Sequence, residues 1–237
     1  MNELYDVVEI EDERTVKGES YFQQFQPLRR FRGNYGVPRL VNDEVIKGFF
    51  YSEHDELEAL GKLHTEYHNE LSQHLPVLQT TTVKDNNLMY LKQPYIPGKT
   101  YEQMLQRTYS RQEKSEAFKQ LLIQSLGLIK HSDKTIGIDG KPENWIYNNG
   151  CWTFVDTFPP FLIDNKHTFG RIFNKRQFEK DFATKPDKTY FRNPLKIIRR
   201  LWLKSEKFDS TLNYKKLSLD TVNDMGFDIT KQLERFL

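Results

Sequence analysis

Ile136-Gly137-Ile138-Asp139-Gly140-Lys141-Pro142-Glu143-Asn144-Trp145-Ile146-Tyr147-Asn148-Asn149-Gly150-Cys151-Trp152-Thr153-Phe154-Val155-Asp156-Thr157-Phe158 is the stretch on which the reading of the chain turns. Two short apolar runs within it have strand character, Trp145 to Tyr147 and Cys151 to Val155. Asn148-Asn149-Gly150 separates them, and Asn-Gly readily takes the positive-φ positions of a tight hairpin. A hairpin returns its far end to its near end. Asp139 and Asn144, just ahead of the first strand, are therefore expected to share one edge with Asp156, which ends the second. Two carboxylates and an amide oxygen there, beside Lys141, could hold a divalent cation between phosphate oxygens and leave one carboxylate to steer a hydroxyl. A plain turn before a hairpin would use the same loop-forming residues. It would not require an Asp at the end of the second strand.

Composition bounds the setting for that loop. At 237 residues, 37% hydrophobic and 29% charged, with twelve Tyr and seventeen Phe, the chain has material for one good-sized domain or two small lobes with a shared interface. No uninterrupted apolar run is long enough to span a bilayer. The acidic start, Met-Asn-Glu-Leu-Tyr-Asp, lacks the basic and apolar segments of a secretion signal. The single cysteine, Cys151, excludes an intrachain disulfide framework and fits a reducing compartment, so a cytoplasmic protein is expected. The net charge of +2 is unevenly distributed, because residues 171–216 hold fourteen Lys or Arg against five Asp or Glu.

Asp139-Gly140-Lys141-Pro142-Glu143-Asn144 resembles the Asp-x-Lys-Pro-Glu-Asn catalytic loop of Ser/Thr protein kinases. These belong to the protein-kinase-like superfamily, which also includes aminoglycoside-type small-molecule kinases. The resemblance implies that Asp139 is the catalytic base, Lys141 contacts the γ-phosphate and Asn144 ligates metal. Asp156, twelve residues after Asn144, resembles the metal-binding Asp of the Asp-Phe-Gly motif. ATP and Mg²⁺, with Mn²⁺ as an alternative, are the cofactors this implies.

Working back from the loop, Val45 to Tyr51 reads as a strand, and Glu53 to His74 as an amphipathic helix. Leu57, Leu60, Leu63, Tyr67 and Leu71 recur there at helical spacing, with Ser52 as the expected cap. By resemblance these carry the ATP-phosphate lysine and its glutamate partner. Lys47 and Glu66 fit best, with Glu56 and Glu70 as competitors. An ammonium held by a carboxylate can be fixed against phosphates. His64 and His68 stand four apart, but their Glu is not immediately after the first His as the zincin pattern needs, so they read as ordinary surface or partly packed histidines. Leu78 to Val83 and Leu88 to Gln93 are strand-like. Pro94-Tyr95-Ile96-Pro97-Gly98 then interrupts regular structure, and by resemblance is the hinge where Gln93 and Tyr95 neighbour adenine. Further back, Tyr21 to Leu28 and Val7 to Ile10 have strand character. Gly33 and Gly36, after Arg29, Arg30 and Arg32, are the compact pair available for a phosphate-covering turn, without the Gly-x-Gly-x-x-Gly pattern.

Beyond the hinge, Thr100 and Gln103 suit the opening of a short helix. Ser110 or Arg111 begins a longer one that stops near His131-Ser132-Asp133. After the loop, Phe169 to Phe182, Pro194 to Trp202 and residues from Leu217 onward look helical. Lys196, Arg199, Arg200 and Lys204 fall on or near the side opposite Ile197, Ile198 and Leu201, where they read as a solvated helix face or could attract a phosphorylated substrate, RNA or an acidic partner. The chain departs from the family in having Gly137 and Ile138 where many members have His and Arg, and Thr157-Phe158 where Phe-Gly follows the metal-binding Asp. No Ala-Pro-Glu motif follows.

The expected fold is α+β and bilobal, with a β-rich nucleotide-binding lobe over residues 1–94 and a mainly helical catalytic and acceptor-binding lobe over 95–237. The expected activity is transfer of the γ-phosphate to a hydroxyl of a small molecule. A protein side chain is the runner-up acceptor, and a catalytically silent kinase-like regulator and adenylyl transfer are the alternatives. Nucleic-acid binding would require the C-terminal basic region to dominate.

Overall fold

The computed structural model describes residues 13–28, 35–227, 229 and 232–233. The expected strand at Val7 to Ile10, and Arg29, Arg30, Arg32 and Gly33 of the expected phosphate-covering turn, lie outside them, as do residues 234–237. The chain is α+β: an antiparallel five-stranded sheet precedes a mainly helical part.

The sheet comprises β1 (Gln26–Pro27), β2 (Arg39–Val41), β3 (Glu44–Tyr51), β4 (Thr81–Asp85) and β5 (Leu88–Pro94), in the order β1-β2-β3-β5-β4. Two-residue turns set its registers. Asn42 and Asp43, at φ 48° and 64°, join Val41 to its partner Glu44. Asn86, at φ 51°, helps join Asp85 to its partner Leu88. Asn and Asp tolerate this left-handed region through local hydrogen bonding. The pairing of β3 with β5 shifts register between Lys47 and Phe50, around Gly48 at φ 65°. A Cβ at Gly48 would stand 3.1 Å from Phe158, so glycine serves both the bulge and the close packing. Tyr21 to Leu28 is not one strand: α1 (Glu13–Ser20) runs into turns, and only Gln26–Pro27 is extended.

Helix α2 (His54–His74) connects β3 to β4 and buries Leu57, Leu60, Leu63, Tyr67 and Leu71. Glu53, not Ser52, is its N-cap residue, and the Ser52 hydroxyl donates to Glu56 instead. After β5 come β6 (Lys99–Thr100), α3 (Tyr101–Leu105) and α4 (Arg111–His131). Both helices start with a reciprocal capping box, Thr100 with Gln103 and Ser110 with Glu113.

Strand β7 (Thr135–Ile136) pairs with β10 (Leu162–Ile163). Between them, β8 (Trp145–Asn148) and β9 (Cys151–Phe154) form the expected hairpin, with Asn149 at φ 49° and Gly150 at φ 82°. The stretch Phe169 to Phe182 is helical in two pieces, α5 (Thr168–Ile172) and α6 (Gln177–Thr184). Glu179 accepts hydrogen bonds from the backbone N–H groups of Lys175 and Arg176, which starts a fresh helix there. Helices α7 (Pro194–Glu206) and α8 (Tyr214–Asp224) follow. No helix among the described residues is long and apolar enough to cross a membrane.

One apolar core runs through both parts, from Phe50, Leu57 and Met89 to Phe158, Phe173 and Leu201. Its densest portion is aromatic. Phe161 stacks on Phe191 at 3.8 Å between ring centroids, and Phe182 meets Phe161 edge-on at 5.1 Å. That cluster abuts Gly137, where a Cβ would come within 2.7 Å of the Phe182 ring and 3.0 Å of Phe191. The backbone ahead of Asp139 therefore lies against packed rings, where no larger side chain fits without movement.

Candidate functional site

The hairpin brings Asp139, Asn144 and Asp156 together. The fully buried Asn144 amide donates through Nδ2 to the Asp139 carbonyl at 2.8 Å and to Asp156 Oδ2 at 3.0 Å. Its backbone carbonyl accepts from Val155 N–H at 3.0 Å, locking the start of β8 to the end of β9. A short 3₁₀ turn, Pro142–Asn144, turns the loop into the hairpin. Gly140 lets that loop approach α4, since a Cβ there would be 2.9 Å from Ser125 Oγ.

Asp139 is held by two cations. Lys141 Nζ lies 3.0 Å from Oδ2, and Arg200 Nε donates to Oδ1 at 3.0 Å. Burial alone would raise the carboxyl pKa, but the charges and hydrogen bonds of Arg200 and Lys141 outweigh it and leave it below the ordinary aspartate value. Burial likewise opposes the charge on Lys141, but the carboxylates of Asp139, Glu143 and Asp156 together outweigh it, so the lysine pKa is raised. Lys141 also lies 3.7 Å from Glu143. Arg200 comes from α7, with its guanidinium 3.8 Å over the Tyr190 ring. The sequence places it among four basic residues of one helix, with nothing to link it to Asp139. The helical phase held the missing signal: Arg200 and Lys204 flank the buried stripe of Ile197, Ile198 and Leu201, while Arg199 is exposed.

Lys47 reaches the same region from β3 and donates to the Val155 carbonyl, one residue before Asp156. Gln93 is buried and donates through Nε2 to that carbonyl at 3.0 Å and to Thr80 Oγ1 at 2.8 Å. Its amide therefore braces the end of β9. Tyr95 is 48% exposed, and its N–H donates to the Asp43 carbonyl at 2.9 Å.

Glu66 does not meet Lys47. Its side chain is exposed, because it follows His64 by two residues and so lies on the far side of α2. The inward-facing residue is His64, which is no surface histidine. It is 1% exposed, with Nε2 3.2 Å from Thr157 Oγ1 and Nδ1 3.1 Å from Thr82 Oγ1. Burial, reinforced by the charges of His68 and Lys47, pushes its pKa down to about 3, so the ring is neutral near pH 7. The leucine phase of α2 carried the signal for this. Glu70 pairs with His74 and Lys134, and Glu56 with Arg14 and Ser52.

Hydrogen bonds from distant residues hold the loop preceding Asp139. Tyr67, fully buried on α2, donates its hydroxyl to the Gly137 carbonyl at 3.0 Å. Ile138 N–H donates to the Phe191 carbonyl, and Arg192 donates to the Ile136 carbonyl at 2.9 Å.

The residues present fit a hard divalent cation. Asn144 Oδ1 is buried with no hydrogen-bond partner, an acceptor left over beside the Asp156 carboxylate. No cluster of three or more His, Cys, Asp or Glu that could hold a metal occurs among the described residues. A cation here would therefore draw its remaining ligands from phosphate and water, as Mg²⁺ does. Two surface hollows, of about 260 Å³ beside Tyr109, Tyr147 and Trp152 and about 580 Å³ beside Lys114 and Asp209, lie apart from this cluster.

The fold and site define an α+β protein in which a β-hairpin gathers an Asp–Asn–Asp set beside two cations. Residues 7–180 match a family model described as "Family of unknown function (DUF6206)", and the chain belongs to that family. The match takes in Lys47, Asp139, Asn144 and Asp156 and ends before Arg200. No curated protein matches.

Proposed function

We propose that this chain is an ATP- and Mg²⁺-dependent phosphotransferase of protein-kinase-like fold that moves the γ-phosphate to a hydroxyl of a small molecule. The observation carrying this reading is Asn144, tied to Asp139 and Asp156 at once and left with one unpartnered oxygen. The order of elements supports it: a lysine-bearing strand, a helix, two strands, a hinge segment, helices, the loop, the hairpin and the final Asp. On this reading residues 1–94 form the nucleotide-binding lobe and 95–237 the catalytic one, with the cleft between them.

Mg²⁺ bound by Asn144 and Asp156 would offset the negative charge of the phosphates. Asp139, ionised near neutral pH, accepts a hydrogen bond from the acceptor hydroxyl and orients its oxygen towards the γ-phosphorus. As that O–P bond forms, the bond from phosphorus to the bridging oxygen of ADP breaks, and the hydroxyl proton passes to Asp139 and then to water. A loose transition state asks little basicity of the carboxylate, which suits an aspartate with a depressed pKa. Lys141 would face the transferring group and Lys47 the remaining phosphates.

A small acceptor is favoured by the short path after Asp156. The chain enters β10 at Leu162 and α5 at Thr168, which leaves little room for a peptide platform. A second reading, a catalytically silent relative, is favoured by one observation. Both Asp139 oxygens already face cations.

The test is transfer of label from γ-labelled ATP, with Mg²⁺, to a panel of hydroxyl compounds and to a protein mixture. Asp139→Asn should lower transfer by about 100-fold or more while sparing nucleotide binding. Nucleotide binding without transfer to any acceptor would favour the silent relative, label reaching protein alone would make this a protein kinase, and incorporation from the α-phosphate would mean adenylyl transfer.

A further inference from the structure

We infer that α7 supplies an anion-binding subsite beside Asp139, built from Arg200 and Lys204, and that the acceptor is a hydroxyl compound bearing a phosphomonoester. This rests on the phosphotransfer reading and names its substrate class.

Helix α7 packs against the 3₁₀ turn Pro142–Asn144. Arg200 and Lys204 are one helical turn apart on the flank nearest the loop, and both are partly exposed. Arg200 is positioned from two sides, with Nε on Asp139 Oδ1 at 3.0 Å and its guanidinium 3.8 Å over the Tyr190 ring. Asp139 and Tyr190, which also hydrogen-bonds Arg200, use only part of a rigid five-donor fork suited to phosphate oxygens. Lys141 approaches from the opposite oxygen of Asp139.

The local charge is unbalanced in the direction an anion requires. Lys141, Arg200, Lys204 and Lys207 act on one another here, against the carboxylates of Asp139 and Glu143. Lys204 registers the excess: burial lowers its pKa, and the charges of Arg200, Lys141 and Lys207 lower it further, with Glu143 opposing. Asp156 adds a third carboxylate on the Lys141 side, so the excess lies towards Lys204, where Glu143 is the opposing carboxylate. A dianionic group bridging Arg200 and Lys204 would relieve this repulsion. Because Arg200 also touches Asp139, an acceptor so anchored carries its hydroxyl next to the carboxylate that orients it. An uncharged polyol would find the same carboxylate but nothing to fix its other end.

The experiment measures binding and transfer separately on the full chain. Binding of glycerol 3-phosphate and of inorganic phosphate is titrated to wild type, Arg200→Gln, Lys204→Gln and the exposed α8 control Lys215→Gln. Saturable binding by wild type is expected, weakened about tenfold by either α7 substitution and unchanged in the control. Lys204→Gln keeps the Arg200–Asp139 pair, so it reports on the subsite even if Arg200→Gln unfolds. Absence of saturable phosphate binding in wild type, or equal binding by Lys204→Gln and wild type, would overturn the subsite. Transfer is then compared for glycerol 3-phosphate and sugar phosphates against glycerol and the free sugars. Preference for the phosphorylated member of each pair is expected. Equal transfer to both members would overturn the substrate class and leave the phosphotransfer reading intact. Phosphate binding lost in Lys204→Gln, with no transfer from ATP to any compound, would keep the subsite and overturn the phosphotransfer reading.

Discussion

Acidification should destabilise this protein through His64, by an amount the structure sets. The ring is buried between Thr82 and Thr157, with the His68 ring 6.3 Å away and the charge of Lys47 acting on it. Its folded-state pKa is about 3 against an ordinary 6.5. A histidine with a depressed folded pKa binds its proton more readily in the unfolded chain. Its neutral form therefore costs nothing above pH 6.5, and stability falls as pH drops from 6.5 towards 3. At about 1.36 kcal/mol per pH unit, the loss between pH 7 and pH 5 is about 2 kcal/mol. Urea unfolding of wild type and His64→Gln at both pH values isolates this contribution, because glutamine keeps a donor and an acceptor for the two threonines but does not titrate. Wild type should lose about 2 kcal/mol more than the variant. Parallel losses, within about 0.5 kcal/mol, would refute a buried neutral His64.

Gly137→Ala should cost about 1–3 kcal/mol by forcing a methyl against Phe182 and Phe191, read as a lower urea midpoint with an unchanged slope. Lys114→Met should cost about 3 kcal/mol, because Asp209, 2.7 Å from the ammonium and 7% exposed at its side chain, loses its cation. An unchanged thermal midpoint would count against that pairing. Asn144→Ala should cost about 1–3 kcal/mol, removing the amide that ties Asp139 to Asp156. It should also abolish any Mg²⁺-dependent stabilisation seen in wild type, and a metal-induced midpoint shift that survives would place the cation elsewhere.

The elements were legible wherever short-range chemistry decides them. Asn149-Gly150 announced its hairpin through the need for positive φ, and Thr100 and Ser110 announced helix starts through their reach to a backbone N–H three residues on. The turn at Asn42-Asp43 carries the same kind of signal. The helical stretch over Phe169 to Phe182 is divided into α5 and α6, a break the residue pattern did not mark. Aromatic spacing there reports burial in a cluster gathered from Phe161, Phe182 and Phe191, and burial does not require one continuous helix.

By itself the sequence determined that Asp139, Asn144 and Asp156 would meet, because a two-stranded hairpin closes over a span too short for alternatives. Which other charges join them was a tertiary matter. Glu66 turns to solvent and His64 turns inward through the rotation of α2, while Lys47, on β3, settles on the Val155 carbonyl. Arg200 reaches Asp139 from sixty-one residues away because α7 packs on the loop. Hydrophobic phase tells which face of a helix is buried, but a residue on the flank of that face takes its partner from whatever element packs alongside. That choice is made by the packing of distant segments and is absent from any local pattern.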